Sequence, residues 1–144
     1  MTKGFSILLV EDDLVDVKAV KRAFKEAKIT NPLFVVGNGE EALEFLRHEG
    51  TYANSDDPLP RPGIILLDLN MPVMNGVEFL EIVKSDSNLK RIPIIVLTTS
   101  REESDRLKSY DFSVAGYIVK PVDFEKFVEA VRIIDLYWTL SELP

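Results

Sequence analysis

Five short runs of mostly aliphatic residues recur along the chain: Phe5 to Val10, Leu33 to Val36, Ile64 to Leu67, Pro93 to Leu97 and Gly116 to Val119. They show no polar alternation, as expected of strands buried on both faces in a parallel sheet covered by helices. Between them the periodicity changes. Val17, Val20, Phe24 and Ala27 recur at three and four residues, while Lys18, Lys21, Arg22, Lys25 and Glu26 take the other face, which is the pattern of an amphipathic helix. The same spacing predicts helices near Glu40 to His48, Val77 to Ser85, Glu102 to Ser109 and Phe124 to Leu136. Alternation of strand and helix throughout leaves one economical architecture: parallel strands joined by right-handed crossovers, an α/β three-layer sandwich of the doubly wound kind.

A chain of 144 residues is expected to form one domain, with enough apolar residues to bury a core without disulfides or metals as staples. The one predicted long connection is Gly50 to Pro62, where Pro58, Pro60 and Pro62 forbid helix and disfavour strand, so an extended surface loop is expected. The 17 basic and 24 acidic residues give a formal charge of -7. No stretch gathers Lys and Arg into a basic patch, so direct nucleic-acid binding is not expected. The absence of cysteine excludes thiolate metal sites and thiol nucleophiles. The apolar run Phe5 to Val10 is too short for a signal peptide, and no stretch has membrane-spanning length, so the chain reads as soluble and cytoplasmic.

In open α/β sheets the ligand site lies beyond the carboxyl ends of the strands, where the strand order reverses. Glu11, Asp12 and Asp13 follow the first run, Asp68 ends the third, Thr98, Thr99 and Ser100 end the fourth, and Lys120 follows the fifth. Every chemically capable group thus falls on one sheet edge. Carboxylates gathered there repel one another unless a cation lies among them, and an all-oxygen set suits a hard ion such as Mg²⁺. A carboxylate can also act as a nucleophile toward phosphorus. Phosphoryl transfer then requires a metal, an ammonium and a hydroxyl donor, and Glu11 with Asp12, Lys120 and Thr98 supply those parts around Asp68. Each group alone has a plainer reading: Asp13 as a helix N-cap, Thr98 to Ser100 as another cap, Lys120-Pro121 as a surface turn. The lone His48 reads as a surface residue near a helix C-terminus.

The segments LLVEDD, LLDLNMPVMNG, PIIVLTTS and AGYIVKP, in this order, closely resemble the receiver domain of two-component response regulators. The resemblance implies a flavodoxin-like (βα)5 sandwich with strand order 2-1-3-4-5. It implies that Asp68 is the phosphoacceptor, that Asp12 and Asp68 are metal ligands with Glu11 as the second acid, and that Asn70 gives its backbone carbonyl to Mg²⁺. Thr98 matches the switch hydroxyl, Lys120 the partner of the phosphoryl group, Pro121 a proline after a cis bond and Tyr117 the aromatic switch. Asn70 and Ser100 match positions that tune hydrolysis of the phosphoryl group. On this reading the chain is not an enzyme in its own right: it takes a phosphoryl group from a sensor histidine kinase and signals through changed protein contacts.

Two features extend the minimal receiver: the Gly50 to Pro62 connection, and the apolar tail over residues 137–144 with Tyr137, Trp138, Leu140 and Leu143. Both resemble the single-domain regulators associated with bacterial phytochromes, implying a bacteriophytochrome as the kinase. The apolar tail either folds back on its own domain or, if exposed, is a partner surface, which with the face of the fourth helix, fifth strand and fifth helix would form a homodimer. No effector domain is expected after Leu143. The rival is a Mg²⁺-dependent phosphohydrolase of the haloacid dehalogenase type, which would place its nucleophile after the first strand and a second acid where Asn70 stands. A flavin carrier on the same fold is disfavoured because an acidic edge repels the cofactor's phosphate.

Overall fold

The computed structural model describes residues 6–26, 28–53, 61–71, 73–98, 100–110 and 112–119, together with positions 125, 129 and 132. Five strands form one parallel sheet: β1 (Ser6–Val10), β2 (Leu33–Val36), β3 (Pro62–Asp68), β4 (Ile94–Thr98) and β5 (Gly116–Val119). Four helices alternate with them: α1 (Leu14–Glu26), α2 (Gly39–Arg47), α3 (Gly76–Ser85) and α4 (Arg101–Lys108). The strand order is β2-β1-β3-β4-β5, as the alternation and the resemblance implied. Glu125, Glu129 and Arg132 are helical and exposed, on positions of the expected fifth helix; the rest of that helix and the 137–144 tail lie outside the described residues.

The unalternating strands are explained by a core on each side of the sheet. Leu8, Val10, Ile65, Leu67, Ile94 and Val96 turn toward α2, α3 and α4, where Phe45, Phe79, Leu80 and Leu107 meet them. Ile7, Leu9, Ile64, Leu66, Ile95 and Leu97 turn toward α1, against Val17, Val20, Ala23 and Phe24. The period of two is present, but both faces are apolar, so it is invisible in the composition of the runs.

Helix starts follow capping chemistry. Asp13 accepts the Val15 amide at 2.8 Å, confirming it as the cap of α1. Asn38 caps α2 through the Glu41 amide, so the helix begins at Gly39, one residue before the expected start. At α3, Asn75 accepts the Glu78 amide while the Glu78 carboxylate accepts the Asn75 amide, a complete capping box. His48 is the exposed C-cap of α2 in the left-handed conformation, with φ of 55°.

The connection after α2 departs from the expected loop at both ends. Gly50–Tyr52 forms a 3-10 turn, because Tyr52 has a place to go: its ring packs edge-on against Phe45 at 5.3 Å and its hydroxyl donates to Glu41 at 3.0 Å. Burial, and then that carboxylate, push the phenol up to about 12. At the other end Pro62 is not loop but the first residue of β3, opposite Ser6, where a strand loses nothing by lacking an N–H. Residues 54–60 lie outside the described residues.

Candidate functional site

Register brings the acids together. Val10 pairs with Leu67 across β1 and β3, so the next residue on each strand, Glu11 and Asp68, emerge side by side at the carboxyl edge. Glu11 is 2% exposed and Asp68 3% exposed, whereas Asp12, a residue further out, is exposed. One carboxylate oxygen from each of Glu11, Asp12 and Asp68 lies within 4.8 Å of the others. Two nearly buried carboxylates beside a third are unfavourable neighbours in a bare protein, and they form an all-oxygen donor set that fits a hard divalent cation.

If this cluster holds such an ion, adding it in large excess over its dissociation constant stabilises the fold, by about 2.7 kcal/mol at a hundredfold excess. Asp12→Asn is expected to abolish most of that ion-dependent rise in melting temperature while leaving the ion-free protein at least as stable as the wild type. Thermal unfolding with and without Mg²⁺ checks this. An unchanged ion response in the variant would place the cation elsewhere.

The loop after Asp68 is held from both sides. The Asn70 amide reaches the Asp68 carboxylate at 3.4 Å, and the Leu69 amide donates to the Leu97 carbonyl at 3.2 Å. Met71 and Leu69 are buried, and the Gly76 amide donates back to the Leu69 carbonyl at 3.0 Å. Met74 gives its carbonyl to the Gly39 amide, tying the start of α2 to this loop. Val73 is 72% exposed with φ of 67°, a left-handed conformation that β-branched residues avoid. Relief of that strain should make Val73→Asn more stable by about 1 kcal/mol, read as a higher denaturant midpoint at unchanged slope.

Thr98 ends β4 fully buried, beside the site because Leu97 pairs with Asp68. Its hydroxyl lies 2.5 Å from a Glu103 carboxylate oxygen and 3.3 Å from the Ser100 carbonyl. Ser100 caps α4 through the Glu103 amide, so its plainer reading as a cap holds. The Asn70 side-chain amide donates to the same Glu103 oxygen at 3.3 Å. Tyr117 pairs with Val96 on β5 and is half-buried, with the Lys108 ammonium 5.1 Å from its ring centre. Thr99, Lys120 and Pro121, and with them the expected cis bond, lie outside the described residues.

Glu103 is the residue that sequence reasoning missed. The signal was there but pointed elsewhere: Ser100 followed three residues later by Glu103 spells a capping box, which reads as structural.

Comparison with known proteins agrees with this geometry. Residues 7–132 match the response regulator receiver domain family. Response regulator Rcp1 of Synechocystis sp. is 40% identical over 132 residues, covering 92% of this chain and 87% of that protein. The solved structure of the bacteriophytochrome response regulator RtBRR superposes with a TM-score of 0.85 at 41% identity, covering 99% of this chain and 85% of that one. The phosphorylated cyanobacterial phytochrome response regulator RcpA gives a TM-score of 0.78 at 39% identity, covering 99% of both chains. The Mn²⁺-bound form of Rcp1 gives 0.77 at 39%, covering 97% of this chain and 99% of that one. The dehalogenase-type alternative finds no support in the third-strand position of Asp68 or in Asn70 two residues later. The chain belongs to the response regulator receiver family, as a phosphoacceptor in two-component signalling.

Proposed function

We propose that Asp68 is the phosphoacceptor of this receiver and that the edge described above, together with Lys120, forms its metal and phosphoryl site. The observation that carries this is the convergence of Asp68, buried at the end of β3, with Glu11 and Asp12. An Asp68 carboxylate oxygen attacks the phosphorus of a kinase phosphohistidine; the P–N bond breaks and the imidazole leaves with the electron pair. Glu11, Asp12, Asp68 and the Asn70 carbonyl would hold a Mg²⁺ ion, which would supply charge neutralisation when bound. The Mn²⁺-bound form of Rcp1 supports a divalent ion of this class.

Lys120 pairs with the phosphoryl oxygens and Thr98 donates its hydroxyl to one of them, each bond strengthened by the roughly 1.5 to 2 added negative charges. Thr98 and Tyr117 form the switch, and Asn70 and Ser100 set how fast the receiver releases phosphate by its own hydrolysis. The phytochrome names of RtBRR and RcpA support a bacteriophytochrome-type sensor kinase as donor. Exposed Leu14 and Val15 after Asp13, and Val73 after Asp68, are apolar side chains suited to docking a protein donor rather than a small phosphoester. The single domain over residues 1–144 would signal through α4, β5 and the segment that follows, in a homodimer aided by the 137–144 tail.

Incubation with acetyl phosphate and Mg²⁺, read by intact mass, tests the reading. One phosphoryl group per chain, lost when a chelator is present, is expected. Multiple turnover of a small phosphomonoester without stable labelling would overturn it. In parallel samples, beryllofluoride should shift elution on size exclusion; an unchanged volume would remove activation-dependent dimerisation.

A further inference from the structure

We propose that Glu103 is a positioning residue that latches Thr98 in the unphosphorylated receiver, releasing the hydroxyl only when Asp68 carries a phosphoryl group. The inference rests on the phosphoacceptor reading of Asp68 and adds a regulatory contact to it.

Among the described residues three helices begin with the same signature, a capping side chain followed three residues later by Glu, and each uses it differently. At α2 the Glu41 carboxylate takes the Gly37 amide at 2.9 Å and the Tyr52 hydroxyl at 3.0 Å. At α3 the Glu78 carboxylate turns back to the cap residue's own amide at 3.3 Å, completing the box. At α4 Ser100 accepts the Glu103 amide at 3.2 Å, but the Glu103 carboxylate does not turn back. The Ser100 amide goes instead to Thr98 Oγ1 at 3.3 Å, and Glu103 Oε1 takes the Thr98 hydroxyl at 2.5 Å. The same Oε1 accepts from Asn70 Nδ2 at 3.3 Å, so one carboxylate bridges the ends of β3 and β4. The reciprocal half of the capping box is replaced by a contact with a fully buried hydroxyl beside Asp68.

A threonine hydroxyl has one proton. While Glu103 holds it in a charge-assisted bond, Thr98 cannot donate to a phosphoryl oxygen. A phosphoryl group on Asp68 both competes for that proton and repels the Glu103 carboxylate, so the two occupancies exclude one another. Arg106, three residues further along α4, lines a groove of about 200 Å³ with Glu103, Asn70 and Tyr110, and offers the released carboxylate a cationic neighbour. The latch therefore subtracts from phosphoryl affinity in the resting protein, and by linkage it sets the resting population of the switched form.

The test measures beryllofluoride binding in saturating Mg²⁺ for the wild type, Glu103→Gln, Thr98→Val and the double variant. Removing the charge while keeping shape should tighten binding roughly tenfold, the worth of one charge-assisted bond. In the Thr98→Val background the same substitution should tighten binding clearly less than tenfold, because only the repulsion by Glu103 is removed and there is no hydroxyl to release. Wild-type binding with an unchanged Glu103→Gln affinity would sink the latch alone, and a tenfold effect that persists without the hydroxyl would reduce Glu103 to a general electrostatic influence. Failure of the wild type to bind beryllofluoride would remove the phosphoacceptor reading together with the latch. Equal melting temperatures for the wild type and Glu103→Gln at zero beryllofluoride exclude a folding defect; a loss greater than a few degrees with no tightening would mark Glu103 as a structural cap.

Discussion

Asp68→Asn, incubated with acetyl phosphate and Mg²⁺, is expected to gain no phosphoryl mass at times that fully label the wild type, and to be the more stable protein when no divalent ion is present. Both expectations come from the same atoms. Amide and carboxylate have nearly the same shape, so the end of β3 should keep its packing, but the amide oxygen is a poor nucleophile toward phosphorus. Asp68 is 3% exposed and Glu11 2% exposed, and their oxygens and that of Asp12 lie within 4.8 Å. At that separation one pair of charges repels by about 1 kcal/mol in water-like surroundings and about 3 kcal/mol at an effective dielectric of 20. Removing the Asp68 charge relieves two such pairs, with Glu11 and with Asp12, and should therefore raise stability by at least about 1 kcal/mol, a gain that disappears in saturating Mg²⁺ because the wild type alone then binds the ion well. Denaturant unfolding with and without Mg²⁺ reads this directly. Labelling that survives in the variant would move the acceptor to another carboxylate, and a variant less stable without metal would mean that the bonds Asp68 accepts outweigh the repulsion.

Gly76→Ala is expected to cost about 2 to 3 kcal/mol, in the range of a methyl group forced into a filled site, and to slow acetyl phosphate labelling by tenfold or more. A Cβ built at Gly76 would lie 2.7 Å from the Leu69 Cα, 2.8 Å from its Cδ2 and 2.9 Å from the Asp68 carbonyl oxygen. Two of those atoms are backbone and cannot swing aside. The strand cannot yield either, since Leu69 donates to Leu97 and Asp68 pairs with the same residue. α3 must lift instead, stretching the bond from the Gly76 amide to the Leu69 carbonyl and dragging the loop that orients the Asp68 carboxylate. The denaturant midpoint should fall while the slope stays constant. Wild-type stability would show that the helix shifts freely, and wild-type labelling in a destabilised variant would show that Asp68 is positioned by β3 alone.

The two variants separate chemistry from scaffolding at adjacent points of one segment. Asp68→Asn keeps the frame and removes the nucleophile. Gly76→Ala keeps the nucleophile and bends the frame.

Much of this was legible in the residues. The alternation of apolar runs with helical spacing determined a parallel sheet with helices on both faces, because only that arrangement buries strands such as Ile64 to Leu67 on two sides at once. The rule that sites lie at the carboxyl ends of such strands then placed Glu11, Asp12, Asp68 and Thr98 on one edge. Asp13 as a cap followed from local chemistry alone. Boundaries slipped by a residue or two where capping overrode apolar spacing, as at Asn38 and Ser100, and where Pro62 found the one strand position that needs no N–H.

What the tertiary structure alone decided was the partner of each polar group. Glu78 and Glu103 occupy equivalent places in equivalent local sequences, so nothing within either helix distinguishes them. They differ because α4 starts beside the end of β4, where the buried hydroxyl of Thr98 and the amide of Asn70 are within reach, whereas Glu78 meets the amide of Asn75. A side chain's choice between its own helix and a neighbouring strand depends on distances set by sheet register and helix docking, and those are properties of the assembled fold.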